Sequence, residues 1–162
     1  MKKPSILRSM LLAAVPSIGA APETLSMFID KGRVAARLTK SLSFEYRYTL
    51  NIVVQEYAGD MDTLFVPLLA WIAEYQPDLL ERGEQEPFSF ESEILDGDCA
   101  DVSIDLELTE RVRVDRDGRK LLPKHLDEPS RADAFDGVSA ASPWRGVLDD
   151  TTGGTMTIVP EA

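Results

Sequence analysis

The chain has 162 residues, of which 44% are hydrophobic and 28% are charged, which suits one soluble domain with a single core. Its formal net charge of −11 disfavours a protein that holds nucleic-acid phosphates, because that binding needs clustered Lys and Arg. No apolar run approaches the roughly 18 residues of a membrane span. We therefore expect neither sequence-specific nucleic-acid binding nor insertion into a membrane.

The first part of the chain predicts a helix that starts near Pro4 and stops at Pro16. The same stretch imitates a secretory signal, but Arg8 interrupts it and Pro16 ends it, so export is disfavoured. The single cysteine, Cys99, cannot form an internal disulfide, which makes the cytoplasm the default compartment.

The next segment shows two apolar alternations on either side of a turn signal. The first runs from Leu25 to Ile29 and leads to Asp30-Lys31-Gly32, and the second runs from Val34 to Leu38. This pattern predicts a β-hairpin.

The central unit of the chain, Ser43 to Tyr75, is a strand followed directly by a helix. Every second residue from Phe44 to Val54 is apolar, whereas Arg47 and most of the other residues between them are polar, as in a half-buried strand. Asp60 is then placed to cap a helix whose apolar residues recur at three- and four-residue spacing. We expect that apolar stripe to pack on the strand.

Two prolines should shape this helix. Pro67 lies inside the helical pattern, so we expect a short first turn that ends at Val66 and a restart at Pro67. Pro77 should end the helix, because it disfavours helical geometry at Gln76.

A second hairpin is predicted beyond a polar connection. Alternating residues from Phe88 to Ile94 lead to Asp96-Gly97-Asp98, and a long alternation follows from Val102 to Val114. Glu110 falls in register with the apolar residues, so it lies either where the strand has left the core or beside a basic partner. Its neighbour Arg111 is a candidate interface residue.

Together these elements predict an α+β fold with a mostly antiparallel sheet of about five strands, formed by two hairpins and a long central strand and packed by two helices. We assign residues 1–120 to this domain. Residues 121–162 show no sustained period and predict an extended C-terminal arm, in which Thr155 to Val159 could pair as an added strand.

No catalytic or metal-binding pattern is visible. The carboxylates of Asp96-Gly97-Asp98 lack the further ligands of a calcium loop and indicate a turn. His125 is the single histidine and has no visible partner for a catalytic triad, and we assign no catalytic role to it or to Cys99. We expect no cofactor.

Several short strings resemble those of one known family. They are Leu7-Arg8, Pro16, Pro22, Asp30-Lys31-Gly32, Ser43-Phe44, Arg47-Tyr48-Thr49-Leu50, Gly59-Asp60, Asp62, Pro67, Leu69-Ala70-Trp71, Gln76-Pro77-Asp78-Leu79, Leu108-Thr109-Glu110-Arg111, Leu126 and Glu128-Pro129. On these strings the chain, from Lys2 to about Pro129, resembles the tail completion protein R (GpR) family of contractile-tailed phages.

The resemblance implies a structural virion protein, similar to tail terminators, that completes the tail at its head-proximal end and prepares it for head joining. It implies a ring of copies, most simply a hexamer, with tail tube, sheath and neck proteins as partners and assembly in the host cytoplasm. A connector-side adaptor between tail and head is one alternative, and a small metal-independent hydrolase is another.

The charge distribution fits contacts between copies. Residues 1–40 carry a net charge of +5, so residues 41–162 carry −16. Such a split suits a basic surface on one subunit that meets an acidic surface on the next. The candidate interface residues are Arg47, Glu110 and Arg111.

Overall fold

A computed structural model describes residues 1–37, 41–83, 85–95 and 98–128, together with the backbone of residues 144–149 and 155–160. The helices are α1 (Lys3–Ala14), α2 (Pro16–Ala20) and α3 (Met61–Tyr75), with short 3-10 turns at Pro22–Thr24 and Pro77–Leu80. The strands are β1 (Leu25–Ala36), β2 (Phe44–Tyr57), β3 (Ser89–Ile94), β4 (Ala100–Asp117), β5 (Lys120–His125), β6 (Trp144–Asp149) and β7 (Thr155–Pro160). The predicted α+β class is confirmed.

Strands β1 to β5 form one antiparallel sheet in which β4 pairs with three of the other strands. The order is β1-β2-β4-β3, and β5 pairs with the part of β4 that extends beyond β3. β4 is 18 residues long, so it can pair with β2 on one side and with both β3 and β5 on the other. Strands β6 and β7 pair with each other in a separate two-stranded sheet.

One face of the sheet forms the core, because β2 and β4 keep a strict two-residue period over most of their length. Alternate residues such as Leu50 and Ile104 are 1% and 0% exposed. Helices α1 and α3 cover this face with their apolar stripes, which include Leu11 and Leu68. On the opposite face, which we call the outer face, side chains such as Glu107 are exposed.

The hairpin predicted within residues 25–38 is wrong. Leu25–Ala36 is one continuous strand, paired with β2 along its length. Asp30 is an extra residue in a register shift between Ile29 and Lys31, so the predicted turn is a bulge. Gly32 is not among the glycines with positive φ, which a tight hairpin turn would need. β2 is long enough to pair with all of β1, and Leu38 lies outside the described residues.

The predicted interruption at Pro67 is also wrong, because α3 continues through it as one helix. Proline in a helix interior costs about 3 kcal/mol. Buried neighbours such as Leu64, Leu68 and Ile72 offset this cost by packing on the sheet. The predicted cap is confirmed, since the Asp60 carboxylate accepts a hydrogen bond from the Asp62 amide at 3.2 Å.

The structure adds three details to the predicted elements. α2 begins at Pro16 as a further short helix, which the sequence did not indicate. The hairpin of β3 and β4 is confirmed by its pairing, although Asp96 and Gly97 lie outside the described residues. β5 carries the sheet to His125, and the division into a domain and an arm stays a prediction.

Gly59 lies against the Tyr57 side chain, and its substitution gives a first test of this packing. A Cβ at Gly59 would lie 2.6 Å from the Tyr57 hydroxyl oxygen, which bonds to the Asp60 carbonyl at 3.1 Å. We expect Gly59→Ala to lower the free energy of unfolding by about 1 to 3 kcal/mol in urea titrations, through overpacking. Gly32→Ala is the control, because the nearest atom, Ile29 Cγ2, is 3.9 Å away. Equal stability of both variants would contradict the close approach.

Candidate functional site

The carboxylate of Glu110 is buried at the N-terminus of α1. The side chain is 4% exposed and lies on the core face of β4. Its oxygens accept hydrogen bonds from the backbone amides of Lys2 at 2.8 Å and Lys3 at 3.3 Å, and from the Tyr48 hydroxyl at 2.5 Å. A helix N-terminus presents unpaired amides and a partial positive charge, so this carboxylate binds α1 to the sheet.

Gln76 continues the same polar network from the end of α3. Its side chain is 1% exposed, and Oε1 accepts hydrogen bonds from Lys3 Nζ at 2.7 Å and the Thr109 amide at 3.1 Å. Its Nε2 donates to Thr109 Oγ1 at 3.0 Å and to Asp78 at 2.5 Å. Thr109 lies between the part of β4 that pairs with β3 and the part that pairs with β5. The side-chain amide of Gln76 therefore bonds to β4 where neither strand does.

The segment after β5 closes this network. The Glu128 carboxylate lies 3.0 Å from Lys3 Nζ and 3.7 Å from the Arg111 guanidinium. His125 Nδ1 lies 3.0 Å from Glu110 Oε2, so the end of β5 also meets this network.

These surroundings change the pKa values of the buried groups. Burial alone raises the pKa of Glu110, but the hydrogen bonds from Tyr48, Lys2 and Lys3 outweigh burial and lower it below the ordinary value of 4.5. Burial, with the neighbouring Glu110 carboxylate, raises the pKa of Tyr48. Burial lowers the pKa of Lys3, against the opposing effect of Glu128. These donors hold Glu110 in its charged form. Its carboxylate oxygens are bonded within the chain, so Glu110 has a structural role in this network.

The structure separates the three predicted interface residues onto two faces. Glu110 lies on the core face, whereas Arg47 and Arg111 lie on the outer face. The side chain of Arg47 is 61% exposed and pairs with Glu45 at 2.8 Å, and that of Arg111 is 49% exposed. Surface pairs of this kind contribute little to stability, so both guanidinium groups stay accessible to a partner.

The outer face carries opposite charges in two regions. The acidic half contains Glu91, Glu93, Asp101, Asp105 and Glu107. The basic half contains Lys31, Arg33, Arg47, Arg111 and Arg113. Paired residues of antiparallel strands share a face, which places each set of side chains on the outer side of the sheet. The sequence did not reveal these halves, because they combine residues from four strands.

Two kinds of feature are absent from the described part of the chain, a cluster of metal ligands and a membrane-spanning helix. Within those residues, no group of three His, Cys, Asp or Glu side chains is placed to hold a metal ion. Over the same residues, no helix has the length and apolarity needed to cross a membrane. Cys99 is half-buried beside the start of β4, and His125 ends β5.

Comparison with known proteins gives one consistent match. The family model for the P2 phage tail completion protein R (GpR) matches residues 1–129. The protein named "Tail completion protein R" of Escherichia phage P2 is 43% identical over 131 residues, which cover 80% of this chain and 84% of that protein. No solved structure matches the chain.

Proposed function

The chain belongs to the P2 phage tail completion protein R (GpR) family, and on that premise we propose that it finishes a contractile phage tail at its head-proximal end. The family comprises structural tail proteins and not enzymes, so the chain is a tail component that contacts other tail components. The step that we assign to it makes the tail competent to join a head. Its assembly takes place in the host cytoplasm.

The family match over residues 1–129 is the observation that carries this proposal. The matched range spans every element from α1 to β5. It also includes Lys3, Gln76, Glu110 and Glu128, which hold the first helix, the sheet and the segment after β5 together. The proposal therefore concerns the folded domain as a unit.

We propose further that about six copies close into a ring on the tail, with tube and sheath proteins on one side and neck proteins on the other. The charge split of +5 against −16 between the first 40 residues and the rest supports contacts between unlike surfaces. Arg47 and Arg111 are the candidate contact residues, because their side chains are exposed on one face.

The test is a phage in which this gene is deleted, with heads, tails and joined particles counted by electron microscopy. Tube and sheath subunits should still polymerise, because the protein is expected to act after them. We expect filled heads beside tails that are unfinished at the head-proximal end and fail to join. Joined particles should be nearly absent, since no other route to joining is expected.

Complementation with the wild-type gene is the control and should restore joined particles. Tails of normal length and finish that fail only to join would favour the connector-side adaptor. A normal yield of joined particles from the deletion would refute the tail-completion proposal.

A further inference from the structure

The outer face is complementary to itself in charge. Five carboxylates of the acidic half lie on β3 and the first part of β4, and the cations of the basic half lie on β1, β2 and the second part of β4. From Asp101 to Arg111 the strand rises by roughly 34 Å, so the far ends of the two halves lie beyond the screening length of about 8 Å in physiological salt. At the boundary between the halves, Arg47 and Glu107 are diagonal neighbours on paired strands. Away from this boundary, each half therefore presents its own sign to a partner.

Internal pairing compensates part of this charge. In the basic half, Arg47 pairs with Glu45, Arg111 with Glu128 and Arg113 with Asp115. In the acidic half, Arg82 lies 3.5 Å from Glu107, whose side chain is 74% exposed. Among the described residues, Lys31 and Arg33 of the basic half form no ion pair, and neither do four of the five carboxylates of the acidic half, so the two halves keep opposite net signs.

We propose that two free copies of this chain dimerise through their outer faces before either copy joins a tail, with the acidic half of each copy against the basic half of the other. The dimer occupies Arg47 and Arg111, so it excludes the ring contact proposed above until it dissociates. A two-fold axis that lies in the interface plane, parallel to the two faces and level with Thr49 and Asn51, brings both pairs of halves together at once. A partner with one uniform charge would be repelled by one half, which favours a second copy over a uniformly acidic or basic protein.

The size of the face sets the strength of the dimer. Four strands at about 4.8 Å spacing and about 30 Å of strand length give roughly 580 Å² per copy, or roughly 1,150 Å² in total. Stable interfaces bury about 1,200 to 2,000 Å², so this dimer is weak and reversible. Phe28 adds one exposed aromatic ring on β1, paired with Asn51 near the centre. Most of the attraction is electrostatic and should be screened by salt.

Charge reversal with purified full-length protein tests the pairing. The first variant, Asp105→Lys with Glu107→Lys, makes the outer face largely basic, and the second, Arg47→Glu with Arg111→Glu, makes it largely acidic. In sedimentation velocity at low salt, each variant alone should dimerise at least about tenfold more weakly than wild type. An equimolar mixture should form a heterodimer tighter than the wild-type dimer, and about 0.5 M salt should dissociate both.

Glu107→Lys and Glu74→Lys form a matched pair of single reversals, since Glu74 is exposed on α3 in the helical layer. Glu107→Lys should weaken the dimer, and Glu74→Lys should not. A wild-type chain that stays monomeric at every concentration, a mixture of the double variants that forms no heterodimer, or a dimer that ignores the reversals would each overturn the proposal. The result is independent of the tail-completion assay, because dimerisation is measured without tail proteins.

Discussion

Glu110→Ala is expected to lower the free energy of unfolding by about 3 to 5 kcal/mol, because it removes a charged acceptor from buried donors. The carboxylate accepts hydrogen bonds from the Lys2 amide, the Lys3 amide and the Tyr48 hydroxyl. Its loss leaves these three donors unpaired, the Lys3 amide and the Tyr48 hydroxyl in the protein interior, and each unpaired buried donor costs about 1 to 3 kcal/mol. Urea or thermal unfolding followed by circular dichroism measures the effect.

Two comparisons separate this role from a general effect of charge. Glu107→Ala removes an exposed carboxylate from the same strand and should change stability by less than about 0.5 kcal/mol. Glu110→Gln keeps the shape but loses the charge and should be intermediate. An equal loss for Glu107→Ala and Glu110→Ala would contradict the buried role of Glu110.

The pH dependence of Glu110 follows from the sign of its pKa shift. The folded-state pKa lies below the ordinary value of 4.5, so ionised Glu110 stabilises the fold fully above about pH 4.5. This contribution is lost as the pH falls through the folded-state pKa. Wild type should therefore approach the stability of Glu110→Gln in acid.

Trp71→Ala is the second large effect, with an expected loss of about 3 to 5 kcal/mol from the cavity that it leaves. Trp71 is 2% exposed in the core, and its ring stacks on Tyr75 with centroids 5.1 Å apart. It belongs to the stripe of α3 that holds the helix on the sheet. The midpoint of urea unfolding gives the loss.

Trp71→Phe tests whether ring volume or the indole N–H matters. Among the described residues Nε1 has no hydrogen-bond partner, so the loss of this donor should cost nothing. We expect Trp71→Phe to be less destabilising than Trp71→Ala by about 2 kcal/mol. Similar losses for both variants would indicate that the indole N–H is bonded in the protein.

The period of two in β2 and β4 made the sheet predictable, because burial on one face leaves a direct record in the sequence. It also marked Glu110 as a polar residue on the core face. Its partners could not be predicted, since Lys2, Lys3 and Tyr48 lie far from it in sequence and two of the donors are backbone amides. Periodicity identifies a face, but it does not identify what lies against that face.

Local turn signals gave the wrong result where a long partner strand was available. Asp30-Lys31-Gly32 has the composition of a turn, yet β2 offers pairing positions on both sides of it, and the chain continues as one strand with a bulge. Pro77 correctly predicts a helix end at Gln76, but the role of Gln76 beside β4 depends on a gap between β3 and β5. Such a gap appears only once the sheet is assembled.

The bond between the Lys2 amide and Glu110, which joins residues 108 positions apart in the chain, has a consequence for how the protein folds during synthesis. The ribosome makes α1 first, but the carboxylate that binds its N-terminus emerges only after β1, β2, α3 and β3. A helix as short as α1 is marginal in water on its own. The first helix to be translated is therefore among the last elements to be fixed, and the nascent chain must keep its apolar stripe free of wrong partners until β4 is complete.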